Sequence, residues 1–260
     1  MNLLYWNLKN HNIDYLISRC LIENNIDFAI FSEFNEKLLT DVISLVGNSY
    51  RIVMGNFGCK RVKALIKISI KCDVLRENAR FVIYQITFNE KTYIVCGVHL
   101  QDRRNSTSNS RKDTIRNIIS YIESEERETN CDNTIIIGDL NSNPYDTEII
   151  GFDGFNAVLF KDIIFQNEYR IHEEKRLRRF YNPILNYISE ENNMYGSFYD
   201  SSHDDTPVWH CLDQALFRKS LANSIIEIEY LRKIESKSLM NRVKPNSMIS
   251  DHLPLYVRID

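Results

Sequence analysis

No segment of the 260-residue chain holds the roughly 18 consecutive apolar residues that a membrane-spanning helix needs. Nor does a basic region followed by a long apolar stretch and a cleavage site open it. Met1-Asn2-Leu3-Leu4-Tyr5-Trp6-Asn7 runs directly into an apparent strand. Both absences favour a soluble, cytoplasmic protein. Positive charge is not in excess either: the net charge is −3 and the sequence pI about 6.1. No global field therefore draws the chain to nucleic acid or to an anionic membrane, and any polyanion must be recognised by a local patch. The six cysteines (Cys20, Cys59, Cys72, Cys96, Cys131 and Cys211) form neither a CxxC pair nor a Cys/His spacing suited to zinc, and are read as reduced and buried. There is no internal repeat, no Pro/Gly-rich linker and no break in composition. One domain spanning 1–260 is expected, with a variable insertion at about 160–206.

What the chain does have is apolar material: 43% hydrophobic against 26% charged residues, enough for a sizeable core. Short runs rich in Ile, Val, Tyr and Phe predict strands at Leu3–Leu8, Phe28–Glu33, Val62–Ile70, Arg80–Phe88, Thr92–Leu100, Thr134–Asp139, Cys211–Phe217, Ile225–Leu231 and Leu253–Ile259. Ile13, Leu16, Ile17, Cys20 and Leu21 recur at helical spacing, as do Ile115, Ile118, Ile119 and Ile122. The short polar connection Asn89-Glu90-Lys91 suits an antiparallel hairpin, so a sheet cannot be wholly parallel. Two mixed sheets packed face to face with helices outside accommodate this order. The stretch 160–206, with Glu173-Glu174-Lys175-Arg176-Leu177-Arg178-Arg179, predicts a helix with a charged face plus loops.

Several strands end in a group that carries chemistry. Ile135-Ile136-Ile137-Gly138-Asp139-Leu140-Asn141 stops in a carboxylate and an amide two residues apart, a spacing that points both to one side of an extended segment. An Asx turn is the plainer reading of that segment alone. Phe28-Ala29-Ile30-Phe31-Ser32-Glu33 ends in a carboxylate whose burial without a cation would be costly. Tyr93-Ile94-Val95-Cys96-Gly97-Val98-His99 ends in an imidazole, and Asp251-His252 precedes the last apolar run. Repetition at strand ends implies convergence at one sheet edge.

Tyr5-Trp6-Asn7, Ser32-Glu33, Val98-His99-Leu100, Gly138-Asp139-Leu140-Asn141, Leu212-Asp213-Gln214 and Ser250-Asp251-His252-Leu253-Pro254 occur in the order of the endonuclease/exonuclease/phosphatase family, which the chain resembles from Asn7 to Pro254. The resemblance implies an α/β fold, a four-layered αββα sandwich of two mixed sheets flanked by helices, and a magnesium-dependent hydrolase, with manganese as a substitute. It makes Glu33 the principal metal ligand, with Asn7 and Asp251 beside it. Asp139 would orient or deprotonate the attacking water, Asn141 would contact a phosphate oxygen, and His252 would bind phosphate with Asp213 as its carboxylate partner. His99 would be a second phosphate contact and leaving-group acid. Ser32 stands where the family commonly has Gln, and Gln214 where an aromatic or basic residue is common. His99-Leu100 sets the chain apart from the abasic-site endonucleases and nearer the deoxyribonuclease, sphingomyelinase and tyrosyl-DNA phosphodiesterase branches.

Phosphodiester hydrolysis needs a hard cation, hydrogen-bond donors for the phosphate oxygens and a base for water, and the oxygen-rich set Asn7, Glu33 and Asp251 suits magnesium or manganese better than zinc. After His99, the cations Arg103, Arg104, Arg111 and Lys112 are candidate contacts for phosphates outside the scissile group, although a solvated loop explains them as simply. Tyr169, Tyr181, Tyr187, Tyr195 and Tyr199, interleaved with arginines, are read as packing residues rather than a base-stacking surface. A nucleic-acid substrate is the first expectation. A lipid headgroup or small phosphorylated molecule is the second, and a catalytically inert binding module the third.

Overall fold

The computed structural model describes residues 1–47, 49–55, 58–201 and 208–260, so residues 202–206 of the expected insertion lie outside the described residues. Two large mixed sheets face each other. The first has six strands in the order Ile225–Tyr230, Leu255–Ile259, Asn2–Asn7, Phe28–Ser32, Val62–Lys67 and Tyr50–Val53. The second has seven, in the order Lys71–Glu77, Phe81–Phe88, Lys91–His99, Thr134–Asp139, Asp213–Phe217, Phe180–Tyr181 and Ala157–Val158. Each has a parallel pair at its centre, Asn2–Asn7 with Phe28–Ser32 and Lys91–His99 with Thr134–Asp139, flanked by antiparallel partners.

Side-chain alternation along the strands builds the layers. Tyr5, Phe28 and Ile30 of the first sheet share one apolar core with Tyr84, Val95, Ile135, Ile137, Ala215 and Phe217 of the second. There Phe28 meets Tyr84 edge to face with ring centroids 5.1 Å apart. A Cβ added to Gly97 would lie 3.0 Å from Ile30 Cγ2, which shows how closely the sheets approach. The alternate residues Ile83, Ile94, Cys96, Val98 and Ile136 pack instead with Ile115, Ile118 and Ile122 of the helix Ser108–Thr129. That helix starts where Thr107 accepts a hydrogen bond from the Ser110 N–H and stops at Asn130 in the left-handed region. Helices Asp14–Glu23 and Glu36–Leu45 bury Ile17, Leu21, Leu38, Leu39 and Val42 in the first core. The order of layers is αββα, as the motifs imply. All six cysteines are free and buried.

The structure differs from the sequence expectation in several places. Val62–Ile70 is not one strand: it ends at Lys67, Ile68–Ile70 turns the chain, and Lys71–Glu77 enters the other sheet. The stretch 160–206 does hold a short helix, Lys161–Gln166, but its charged segment Glu173–Arg179 is not helical. Tyr169–His172 and Lys175–Arg178 form an antiparallel hairpin, because Glu173 and Glu174 adopt φ 45° and 65°, the left-handed pair of a tight two-residue turn. Alternation then sends Arg178 to Glu126, Asp132 and Glu168, and sets Arg176 over the Tyr169 ring. The strands expected at Cys211–Phe217 and Leu253–Ile259 begin only at Asp213 and Leu255, and Tyr50–Val53 is an edge strand outside those expected.

Candidate active site

Strand polarity gathers the site. Asn7 and Ser32 are paired at the C-terminal ends of two parallel strands in one sheet, and His99 and Asp139 are paired likewise in the other. The antiparallel neighbours arrive with their N-terminal ends at the same edge, which puts Asp213 opposite Asp139 and His252 just before Leu255–Ile259. The polar mouth of the sandwich therefore closes its apolar interior. Asn7, His99, Asp139, Asp213 and His252 are all buried, while the Glu33 side chain keeps 38% of its exposure.

His252 donates from Nδ1 to Asp213 Oδ2 at 2.7 Å, joining one sheet to the other. Burial opposes charge on this imidazole, but the buried Asp213 carboxylate outweighs it and raises the His252 pKa to about 10. Asp213 is held in turn by the Ser197 hydroxyl, which accepts its backbone N–H at 3.1 Å, and by Tyr230, whose hydroxyl donates to its carbonyl at 2.6 Å. Its Oδ1 is buried without a partner among the described residues. Burial, and then the neighbouring Asp213 charge, push the Asp139 carboxyl up to about 7. Asp139 accepts from the Asn141 N–H at 2.9 Å and from Asn7 Nδ2 at 3.2 Å.

Asn7 Nδ2 also donates to Glu33 Oε1 at 3.0 Å, so one amide spans the carboxylates of both strand pairs. Glu33 takes φ 48°, a left-handed conformation unfavourable for a long side chain, where the strand ends. His99 Nε2 lies 3.5 Å from Glu33 Oε1 and 3.8 Å from Asp139 Oδ2, two strand-end carboxylates that the sequence brings to the same edge, and its Nδ1 is buried without a partner among the described residues. Burial, with Arg80 and Arg61 nearby, lowers this imidazole to about 3, so it is neutral. Among the described residues no Lys or Arg pairs with Glu33, Asp139 or Asp213. Three carboxylates thus face a single protonated imidazole, an excess of oxygen donors that fits a hard divalent cation. Ligand atoms of Asp139, Asp213 and His252 lie within 4.8 Å of one another. The His252 proton already satisfies part of that trio, whereas Glu33 stands on the cavity wall with the Asn7 amide bonded to it.

Asp251 is placed differently from the expectation. Its carboxylate is bound by Lys9 Nζ at 2.6 Å, at the rim. Lys9 is not among the residues the sequence singles out, although its position two residues past Asn7 puts it within reach. Ser250, to which the last motif assigns no role, gains one here. Its hydroxyl donates to the Asn7 carbonyl at 2.7 Å and accepts the His252 N–H at 3.1 Å, tying two motifs together. The four expected phosphate contacts divide. Arg103 and Arg104 line the cavity, Arg103 donating to the Asn141 carbonyl at 3.1 Å and pairing with Asp146. Arg111 is buried against Glu148, with Nη2 2.5 Å from Oε1, and Lys112 binds Asp153 at 2.9 Å. Both tie the long helix to the segment 147–153, Arg111 to its short helix Thr147–Ile150, and are absent from the cavity wall, which corrects the expectation for them. The cavity, about 670 Å³, is lined by Glu33, His99, Asp139, Asn141 and His252, together with Phe198 and His210. The hairpin Phe198–Asp200/Val208–His210 brings in these last two, and nothing in the local sequence pattern marks them.

This is the fold of the endonuclease/exonuclease/phosphatase proteins, and the cavity lies at the strand-end edge where open α/β sheets bind ligands. No protein-family model and no curated protein matches the sequence. Solved structures match the fold. TDP2 of D. rerio complexed with single strand DNA product aligns at TM-score 0.63 and 12% identity, over 99% of this chain and 97% of that one. A mannosyl-6-phosphatase of Bacteroides thetaiotaomicron aligns at TM-score 0.64 and 11% identity, over 100% of this chain and 99% of that one. An endonuclease/exonuclease/phosphatase family protein from the same organism gives TM-score 0.63 at 12% identity, over 99% of this chain and 96% of that one.

Proposed function

We propose that the chain is a magnesium-dependent hydrolase that cleaves phosphodiester bonds, in nucleic acid before other substrates. The observation that carries this reading is the meeting of Glu33, Asp139 and Asp213 with His99 and His252 at one edge of the two sheets. Glu33 and Asn7 would hold Mg²⁺, or Mn²⁺ in its place, with Asp251 contributing only if Lys9 releases it. The ion would supply Lewis-acid stabilisation of charge on the phosphate oxygens.

The protein's own groups do the rest. Asp139, with an affinity for protons near neutrality, holds the attacking water and takes its proton. His252, kept charged by Asp213, donates to a non-bridging phosphate oxygen. Asn141 gives a second donor from its amide, one N–H of which already binds the Leu100 carbonyl. His99 is assigned the role of a neutral hydrogen-bonding contact rather than a leaving-group acid, because its buried ring resists protonation. Arg103 and Arg104 face the phosphates flanking the reaction. The mannosyl-6-phosphatase neighbour supports a second reading, hydrolysis of a small phosphorylated molecule by the same groups. Supercoiled DNA, single-stranded DNA, RNA, phosphoinositides, sphingomyelin and a sugar phosphate, each assayed in Mg²⁺ and in EDTA, separate the readings. Turnover of none of them in Mg²⁺ would overturn both.

A further inference from the structure

Glu33 and His99 are walls of two cavities at once. One is the catalytic cavity; the other, about 660 Å³, is lined also by Asn10, Phe34, Gly58, Lys60, Arg61 and Glu77. This second lobe brings cations to the flank of the acidic catalytic mouth. Lys60 and Arg61 stand on its wall, and Arg80 lies beside it, next to His99, whose backbone N–H donates to the Arg80 carbonyl at 2.9 Å. Burial, and then the charge of Arg61, make Arg80 easier to deprotonate than an ordinary arginine, so two guanidinium groups are held near each other. Among the described residues none of the three cations makes an ion pair. Glu77 binds the loop: it accepts the Gly58 N–H at 3.2 Å and the Cys59 N–H at 3.1 Å, fixing the segment that carries Lys60 and Arg61. The exposed Lys60 and Arg61 and the half-buried Arg80, without ion pairs among the described residues, stand at this lobe with the Glu33 and Glu77 carboxylates and leave their donors free for an anion.

We propose that this second lobe, through Arg61, Arg80 and Lys60, binds a non-scissile phosphate of the substrate, so that the substrate is a chain bearing more than one phosphate rather than a lone ester. The proposal rests on the function given above and narrows it to polynucleotides. A single phosphate ester fills only the lobe where chemistry occurs, whereas an oligonucleotide passes over Glu33 and His99 and engages both.

The test compares the full chain with the Arg61→Ala/Arg80→Ala double variant on a single-stranded oligonucleotide and on bis(4-nitrophenyl) phosphate, which has one phosphate. The ratio of kcat/KM for the oligonucleotide to that for the small diester should fall by about tenfold or more in the variant, through KM. Its salt dependence on the oligonucleotide should flatten by about 0.7 in the log–log slope for each phosphate that no longer meets a cation. Arg61→Lys/Arg80→Lys should recover most of the ratio, which a purely structural role in the loop would not produce. An unchanged ratio, or an equal loss on both substrates, overturns the proposal. Should the wild-type chain hydrolyse neither substrate, the functional reading fails, and anisotropy of a labelled oligonucleotide still decides the lobe: weaker binding by the double variant upholds it, equal binding overturns it.

Discussion

Asp213 gives His252 a buried counter-charge, and the pair makes a claim about protons. Because the folded-state pKa of His252 is raised to about 10, its charged form adds stability that is fully present below its ordinary value near 6.5 and is lost as pH rises through about 10. In metal-free protein the His252 ring resonances should remain those of an imidazolium at pH 8, and in Asp213→Asn they should titrate lower, since the largest of the charges that oppose burial is then gone while Asp139 and Asp251 remain. A His252 that titrates alike in both proteins would refute the coupling. Asp139 carries the other claim. Asp139→Asn should leave circular dichroism intact while lowering turnover by about 10²–10⁴-fold, the usual contribution of a positioned base. Near wild-type turnover by the folded variant would remove Asp139 from water activation.

At the scale of the element, the strand Thr134–Asp139 delivers Asp139 only because its neighbour can come close. A Cβ at Gly138 would overlap the Val98 carbonyl oxygen of the adjacent parallel strand. Gly138→Ala should therefore destabilise the protein by about 3 kcal/mol, read from urea denaturation, and loosen the register that pairs His99 with Asp139. A midpoint equal to wild type would mean that the strands part without cost. This strand is fully legible in the sequence, because its apolar run ends abruptly at the carboxylate. So are the parallel-strand ends at Asn7, Glu33 and His99. Lys71–Glu77 is not, since Val62–Ile70 reads as one apolar run and the charged residues Lys71, Asp73, Arg76 and Glu77 that follow it, at the edge of the other sheet, suit a loop as well as a strand. Within 160–206 the expected helix falls at Lys161–Gln166, while the charges around Glu173-Glu174 suit a helix surface or a hairpin equally well, and only the left-handed turn decides. Side-chain pairings between distant segments, such as Lys9 with Asp251 and Arg111 with Glu148, leave no local pattern at all.

The whole molecule is acidic, with a net charge of −3, yet the two lobes around its acidic mouth are lined by Arg103, Arg104, Lys60 and Arg61. Local cations can thus steer a polyanion that the overall charge would not attract, and a divalent ion at Glu33 and Asn7 would relieve the carboxylates they surround. No helix among the described residues is long and apolar enough to cross a membrane. The central claim is that cation-dependent hydrolysis of a phosphodiester occurs at Glu33, and it is tested most directly by the Mg²⁺ dependence of oligonucleotide cleavage in wild type and Glu33→Gln. The account predicts saturable activation by Mg²⁺ in the wild type, abolished by EDTA and restored by Mn²⁺, with the midpoint moved up by about tenfold or more in Glu33→Gln. Cleavage that persists in EDTA, or one Mg²⁺ midpoint for both proteins, would contradict it.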